Sequence, residues 1–204
     1  AVAARHGVAS SQVFVGNGSD EVLAHTFHAL LRHDQPVLFP DVTYSFYPVY
    51  CRLYGIAYRE IPLTDSLEIN VDDYLQTSNG GIVFPNPNAP TGNLFPEDDL
   101  KRIVAVAAKV GALVVIDEAY YPFSGFTMAG WLKKFPNLVL IRTLSKAFCL
   151  GGVRLGYLLA DPKVAGEIVK VVLPFSVGIL QQIVGETVLD EASYDRGIVD
   201  EILS

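Results

Sequence analysis

Short apolar runs alternate with amphipathic segments along the chain. The runs at 112–116 and 137–141 are almost continuously apolar and rich in β-branched residues, which is typical of strands buried on both faces of a parallel sheet. Shorter runs predict further strands near 13–15, 36–39, 57–61, 81–84 and 153–160. Because helical patterns separate these runs, the sequence predicts an α/β protein.

The amphipathic segments predict helices with recognisable ends. Ser19 fits an N-cap position, and Asp20 and Glu21 suit the positive end of a helix running from about Asp20 to Leu31. Pro96 and the acids after it open another helix, which reaches about Val110. Further helices are predicted within 65–75, from 49 through 54, from 161 to about 172 and from about 177 to 191.

Composition limits the class of protein. The chain has 204 residues, 50% of them hydrophobic, which is enough for one large domain over 1–204. A net charge of −7, with scattered lysines and arginines, argues against nucleic acid as a partner. Two cysteines, Cys51 and Cys149, are too few for a disulfide framework or a zinc site and favour the cytoplasm. No leader-like segment or long unbroken apolar run indicates secretion or membrane spanning.

Both ends of the sequence suggest a piece of a longer protein. Residues 1–7 lack an initiator methionine and resemble the tail of a helix, and residues 195–204 stop within an amphipathic pattern. We therefore expect further protein on either side of these residues.

Lys146 is the first candidate for chemistry. It lies between the apolar run at 137–141 and a glycine pair, with hydroxyls at Thr143 and Ser145 and a second cation at Arg154. A lysine that is desolvated or close to another cation readily loses its proton and can form a Schiff base. The alternative is an ordinary surface lysine in a loop.

Other predicted strand ends carry complementary groups. After the first strand, glycines bring backbone N–H groups at Ser19 and Asp20 within reach of a phosphate, although helix capping alone would explain the same turn. Tyr44 follows the second strand and is placed to cover a flat ring. Asp117 directly follows a buried strand, where open α/β sheets bind ligands, although a hydrogen-bonded surface acid is the simpler alternative.

The proline-rich stretch Pro85-Asn-Pro-Asn-Ala-Pro-Thr-Gly92 must form a defined turn after its strand. Its Ala89–Pro90 bond is a candidate for a cis peptide, because such bonds occur in rigid turns. At a strand end that faces a ligand, this turn would form one wall of the site.

One ligand uses all of these groups together: a pyridine ring that carries a phosphate and an aldehyde. Such a ligand needs an anion site, a stacking face, a carboxylate to keep its ring nitrogen protonated and a lysine for the aldehyde. Arg154 would add charge at the phosphate, and the hydroxyl of Tyr120 could reach the phenolic oxygen of the ring. The sequence therefore predicts a pyridoxal 5'-phosphate site.

Five motifs in order resemble the fold type I pyridoxal-phosphate aminotransferases, and most closely the histidinol-phosphate aminotransferases among them. These are GNGSDE, PDVTYSFY, PNPNAPTG, DEAYYPF and RTLSKAFCLGGVRLGY. The resemblance covers essentially the whole chain. It implies the large cofactor-binding domain of that family, a three-layer α/β/α sandwich with a mainly parallel mixed sheet, without the family's N-terminal arm and small C-terminal domain.

The resemblance also implies roles for individual residues. Lys146 would form the Schiff base, Asp117 would pair with the pyridinium nitrogen, Tyr44 would stack on the ring and Tyr120 would contact its phenolic oxygen. The phosphate would be bound by Ser145, Arg154 and the backbone of Ser19 and Asp20. Thr143 is a further candidate for binding the cofactor. Where the family has an asparagine before the proline of Pro-Thr-Gly, this chain has Ala89, and Asn88 is the candidate substitute.

As a function, the resemblance implies transfer of an amino group from histidinol phosphate to 2-oxoglutarate by a homodimer. Two other functions are consistent with the same sequence. One is a threonine-phosphate decarboxylase or another amino-acid aminotransferase, since the same cofactor site serves these enzymes. Another is a non-catalytic module that only binds the cofactor.

Overall fold

The computed structural model describes residues 1–191 and 193–204, and in this part of the chain seven strands form one sheet. The strands are β1 (Val13–Gly16), β2 (Val37–Pro40), β3 (Tyr58–Ile61), β4 (Gly81–Pro85), β5 (Leu113–Asp117), β6 (Leu138–Thr143) and β7 (Gly156–Leu159). Their spatial order is β1-β7-β6-β5-β4-β2-β3. Strands β2 to β6 are parallel, and β7 runs antiparallel to both β6 and β1.

Helices cover both faces of the sheet. Within the described residues they are α1 (Val2–His6), α2 (Gly18–Leu30), α3 (Tyr47–Tyr54), α4 (Val71–Gln76), α5 (Glu97–Lys109), α6 (Tyr121–Ser124), α7 (Pro162–Val169), α8 (Ile179–Asp190) and α9 (Tyr194–Leu203). Helices α2, α3 and α7 pack on one face, and α1, α4, α5, α8 and α9 pack on the other. The predicted three-layer α/β/α sandwich with a mainly parallel mixed sheet is confirmed.

The central strands are apolar because both of their faces are buried. In β5, Val115 contributes to the core under α2, and its neighbour Ile116 contributes to the core under α5. In β6, Val139 and Leu140 divide between the two cores in the same way. Alternate side chains of a strand point to opposite faces, so a sheet covered on both sides needs apolar residues at every position.

Two predicted boundaries were wrong. Helix α2 begins at Gly18 with Asn17 as its N-cap, so Ser19 is not the cap and lies inside the first turn. The carboxylate of Glu21 accepts hydrogen bonds from both Asn17 N and Asn17 Nδ2, which closes this end of the helix from within. Strand β7 begins only at Gly156, because a short 3₁₀ turn occupies residues 151–153.

Strand β6 continues two residues beyond the predicted apolar run. Arg142 and Thr143 are both buried members of the strand. A sequence pattern based on apolar positions ends at Ile141, because a buried arginine depends on a partner elsewhere in the chain. Among the described residues, no helix has the length and apolar character needed to cross a membrane.

Candidate active site

A pocket opens at the edge of the sheet where the parallel strands end. Open α/β sheets place their ligand sites at this edge. Of the ten residues predicted for the site, eight line the pocket, whereas Asn88 and Thr143 do not. The lining consists of Ser19, Asp20, Tyr44, Pro85, Ala89, Asp117, Ala119, Tyr120, Ser145, Lys146 and Arg154.

One wall of the pocket is the N-terminus of α2, which lies directly against β7. A Cβ atom added at Gly156 would lie 2.4 Å from both Gly18 C and Ser19 N, so only glycine permits this approach. The first backbone N–H groups of a helix have no partner inside the helix, and they lie at its positive end. The N–H groups of Ser19 and Asp20 are therefore suited to an anion such as a phosphate.

Arg154 adds a positive charge beside this helix end. Its backbone is left-handed, with φ at 56°, and a Cβ atom added at Gly18 would lie 2.7 Å from Arg154 Nη2. Gln181 of α8 donates hydrogen bonds from Nε2 to Arg154 O at 2.9 Å and to Asn17 Oδ1 at 2.9 Å. Gly18 thus leaves room for the guanidinium at the start of α2, and Gln181 fixes the backbone of Arg154.

Asp117 ends β5 at the base of the pocket. Its side chain is buried, with Oδ1 accepting a hydrogen bond from Ala119 N at 3.1 Å and Oδ2 accepting one from the Tyr47 hydroxyl at 3.2 Å. Burial raises the pKa of Asp117 to about 6; these two hydrogen bonds oppose the rise and the charge of Asp20 adds to it. A cationic group beside Asp117 would therefore favour its ionised form strongly.

Lys146 follows β6, the strand next to β5, and its side chain lines the same pocket. Its Nζ atom lies 5.3 Å from the centre of the Tyr120 ring. Thr143 is buried beneath the loop, where its Oγ1 atom accepts a hydrogen bond from Ser145 N at 3.0 Å. Thr143 thus orders the loop that carries Ser145 and Lys146 but does not line the pocket.

Tyr44 also lines the pocket. Its hydroxyl donates a hydrogen bond to Asp20 Oδ1 at 2.7 Å, and its ring packs against Phe46 and Tyr47. Burial and the hydrogen bond to Asp20 raise the pKa of the Tyr44 phenol above its usual range, so it remains protonated. The ring is held firmly enough to serve as a stacking surface.

The amide of Asn88 is bound by its own loop and by the loop after β2. Its Nδ2 atom donates to Val42 O at 3.0 Å and to Thr91 Oγ1 at 2.9 Å, and the residue is only 2% exposed. Ala89 lines the pocket in its place. The Ala89–Pro90 bond is cis as predicted, and the Asn86–Pro87 bond, which the sequence did not single out, is also cis.

Behind the pocket, an ion pair between Glu118 and Arg142 was not predicted from the sequence. Both side chains are only 1% exposed, and their nearest atoms are 2.7 Å apart. Glu118 also accepts a hydrogen bond from Met128 N at 2.8 Å, and Arg142 lies over the Tyr121 ring at 3.9 Å. This ion pair stabilises the turn after β5, which carries Asp117 and Tyr120. The only sign of the pair in the sequence was a charged residue, Arg142, directly after an apolar run.

Helix α1 reaches this ion pair from the other side. The His6 Nδ1 atom lies 2.9 Å from Arg142 Nη1, and the His6 Nε2 atom lies 2.9 Å from the Tyr157 hydroxyl. Burial, together with the charges of Arg142 and Arg5, lowers the pKa of His6 to about 3. A neutral imidazole can accept a hydrogen bond from the guanidinium without adding a second buried positive charge.

Known proteins are similar to this chain over most of its length. The chain is 54% identical over 162 residues to histidinol-phosphate aminotransferase 1 of Methylococcus capsulatus, a match covering 79% of this chain and 44% of that protein. It is 48% identical over 194 residues to histidinol-phosphate aminotransferase 1 of Burkholderia pseudomallei, covering 95% of this chain and 53% of that protein. The chain thus spans about half the length of the curated relatives it matches.

A solved structure has the same fold. The histidinol-phosphate aminotransferase from Sinorhizobium meliloti in complex with pyridoxal-5'-phosphate matches with a TM-score of 0.82 at 22% identity, over 99% of this chain and 56% of that one. At this level of identity, the likeness concerns the fold alone. A family model described as aminotransferase class I and II matches residues 1–202. This chain therefore belongs to the class I and II aminotransferase family.

Proposed function

We propose that this chain is the cofactor-binding part of a pyridoxal 5'-phosphate-dependent aminotransferase. The observation that carries the proposal is that Lys146 and the buried Asp117, at the ends of adjacent strands, line one pocket with an anion site. The most suitable reaction is transfer of the amino group of histidinol phosphate to 2-oxoglutarate, which yields imidazole acetol phosphate and glutamate in histidine biosynthesis. Relatives that match most of the chain bear the corresponding name.

The residues of the pocket fit the cofactor. Gly156 lets the N-terminus of α2 approach β7 closely, and the first N–H groups of that helix lie at the pocket together with the charge of Arg154. These groups and Ser145 bind the phosphate, and Tyr44 covers the ring. Asn88 would bind the phenolic oxygen in place of the family's asparagine. Its amide would then have to turn away from Val42 O and Thr91 Oγ1.

When bound, the cofactor supplies an electron sink for the charge that develops on the substrate's α carbon. Asp117 keeps a proton on the ring nitrogen, because its buried carboxylate gains most from a cationic neighbour. Lys146 would hold the cofactor through its aldehyde, and the Nζ atom of Lys146 would be the base that takes the proton from the α carbon of the amino donor. The Tyr120 hydroxyl donates a hydrogen bond at the phenolic oxygen.

A labelling experiment tests the assignment of Lys146. The purified protein is incubated with pyridoxal 5'-phosphate, reduced with borohydride and digested, and the pyridoxyl label is located by mass spectrometry. We expect the label on Lys146 and none in the Lys146→Ala protein. Lys170→Ala is the matched control, since Lys170 is an exposed lysine paired with Glu167 and should not affect labelling. A stable label elsewhere in the Lys146→Ala protein would refute the assignment.

Product analysis separates the candidate reactions. With histidinol phosphate and 2-oxoglutarate we expect glutamate to form. Carbon dioxide released from phosphothreonine would instead favour a decarboxylase, and labelling without any turnover would favour a module that only binds the cofactor. Each result assigns the same pocket to a different activity.

We further propose that the protein is a cytoplasmic homodimer. The segment around α8 exposes a group of large apolar side chains, with Leu173 79% exposed, Phe175 fully exposed and Leu180 75% exposed. Such a patch is unusual on a free surface and suits an interface. Light scattering after size exclusion should give twice the monomer mass, and the two free cysteines, Cys51 and Cys149, agree with a reducing compartment.

A further inference from the structure

The side chain of Asp20 connects two parts of the pocket that come from different strand ends. Its Oδ1 atom accepts a hydrogen bond from the Tyr44 hydroxyl at 2.7 Å, and its Oδ2 atom accepts one from Arg154 Nη2 at 3.1 Å. The backbone carbonyl of the same residue accepts a hydrogen bond from the Tyr50 hydroxyl at 3.1 Å. One residue in the first turn of α2 therefore fixes a tyrosine after β2, a tyrosine of α3 and an arginine before β7.

Stability alone is a poor explanation for this arrangement. The side chains of Asp20 and Arg154 are 48% and 47% exposed, and exposed ion pairs add little to the stability of a fold. The start of α2 already has an acid in Glu21, which closes the helix end through Asn17. Asp20 instead directs its carboxylate to two side chains that line the pocket.

We propose that Asp20 is a positioning residue for the cofactor, which holds the Tyr44 ring and the Arg154 guanidinium in the places where they meet the ligand. This inference rests on the proposed function. The proposed function uses only the backbone N–H of Asp20, at the phosphate, so the role of its carboxylate is additional. Without Asp20, the Tyr44 ring keeps only its packing against Phe46 and Tyr47, and the Arg154 guanidinium keeps only a hydrogen bond to Gly151 O at 3.4 Å. Both side chains are then held less firmly, and a ligand that must first order them binds more weakly.

The negative charge of Asp20 acts in the opposite direction, because it repels the phosphate of the ligand. That repulsion is limited, since the carboxylate is paired with Arg154 at 3.1 Å and is close to half exposed to water. The loss of Asp20 removes two fixed contacts at once. We therefore expect the positioning effect to exceed the relief of repulsion.

Equilibrium titrations with pyridoxal 5'-phosphate test this inference. Asp20→Ala should raise the dissociation constant about tenfold, the effect of freeing two side chains at the site. Pyridoxal, which lacks the phosphate, is not repelled by Asp20 and uses only the ring contacts, so its affinity should fall roughly threefold. Asp98→Ala is the matched control, because Asp98 also lies in the first turn of a helix and pairs with a cation, Lys101, but far from the pocket.

A double-mutant cycle separates positioning from a general structural effect. Tyr44→Phe keeps the ring and removes only the hydroxyl that Asp20 holds. If Asp20 acts through Tyr44, Asp20→Ala should weaken pyridoxal binding less in the Tyr44→Phe background than in the native chain. Thermal unfolding midpoints close to that of the native chain establish that the variants are folded.

Two results would overturn the inference. One is an Asp20→Ala protein that binds pyridoxal 5'-phosphate as tightly as the native chain or more tightly, and the other is full additivity in the cycle. Failure of this inference is distinct from failure of the proposed function: in the first case the native chain still binds the cofactor on Lys146, and in the second it does not.

Discussion

Replacement of Asp117 by asparagine should stabilise the ligand-free chain at neutral pH and leave its stability nearly unchanged in acid. Burial raises the pKa of Asp117 from 3.8 in the unfolded chain to about 6 in the folded chain. The folded chain therefore holds this proton more tightly than the unfolded chain does. The resulting stabilisation is fully present below about pH 4 and is lost as the pH rises through about 6.

The size of the effect follows from the pKa difference. One pKa unit corresponds to about 1.4 kcal/mol, so a rise from 3.8 to about 6 makes ionised Asp117 cost up to about 3 kcal/mol above pH 7. Asparagine has nearly the same shape and no charge. The difference in unfolding free energy between Asp117→Asn and the native chain should therefore grow from near zero at pH 4 to about 3 kcal/mol at pH 7.5.

Urea unfolding of both proteins at a series of pH values measures this difference. His6, whose folded-state pKa is lowered to about 3, titrates in both proteins and cancels from the comparison. Asp98→Asn serves as control because the Asp98 side chain is 95% exposed, and its stability relative to the native chain should change by less than about 0.5 kcal/mol across the range. A difference for Asp117→Asn that does not depend on pH would refute the reasoning that burial disfavours this charge.

Two further predictions concern the neighbours of Asp117. Glu118→Ala leaves Arg142 buried without its carboxylate partner and should lower the unfolding free energy by about 3–5 kcal/mol. The control is Glu97→Ala, which breaks an exposed ion pair with Lys101 and should lower the unfolding free energy by less than about 1 kcal/mol. Equal losses for the two variants in urea unfolding would contradict this prediction. Tyr47→Phe removes a hydrogen bond that favours ionised Asp117 and so should raise the pKa of Asp117 further. The stability difference between Tyr47→Phe and Tyr47→Phe/Asp117→Asn should then keep growing to a higher pH, and reach a larger final value, than the difference between the native chain and Asp117→Asn; an equal or smaller final value in urea unfolding would show that this hydrogen bond is unimportant.

The sequence predicted those pocket-lining residues whose positions depend only on where a strand ends. Asp117, Lys146 and Tyr44 each follow an apolar run, and the ends of parallel strands meet at one edge of the sheet regardless of the details of packing. Arg154 was singled out as a second cation close to Lys146 in the sequence; it lies two residues before β7, although the predicted strand at 153–160 had included it. Local patterns were sufficient for these positions.

Side-chain direction within loops was not predictable in the same way. Asn88 and Ala89 are neighbours, and only the path of the proline-rich turn decides which of them lines the pocket. Thr143 is turned beneath the loop because its hydroxyl accepts a hydrogen bond from Ser145 N, two residues further on. The burial of Arg142 was not predicted because its partner, Glu118, lies 24 residues earlier in the chain, in the turn that follows β5.

Asp117 and Glu118, at the end of β5, have different roles: one can stabilise the fold and the other can bind a ligand. The two acids are adjacent, and both are buried. Glu118 receives a guanidinium and further hydrogen bonds, so its charge is balanced within the protein. Among the described residues, the hydrogen-bond donors to Asp117 are both neutral, namely Ala119 N and the Tyr47 hydroxyl. A buried carboxylate without a cation is unfavourable unless a ligand provides one. Glu118, whose charge is paired, can thus stabilise the turn after β5, while Asp117, whose charge is not paired, stays available to a cationic ring nitrogen.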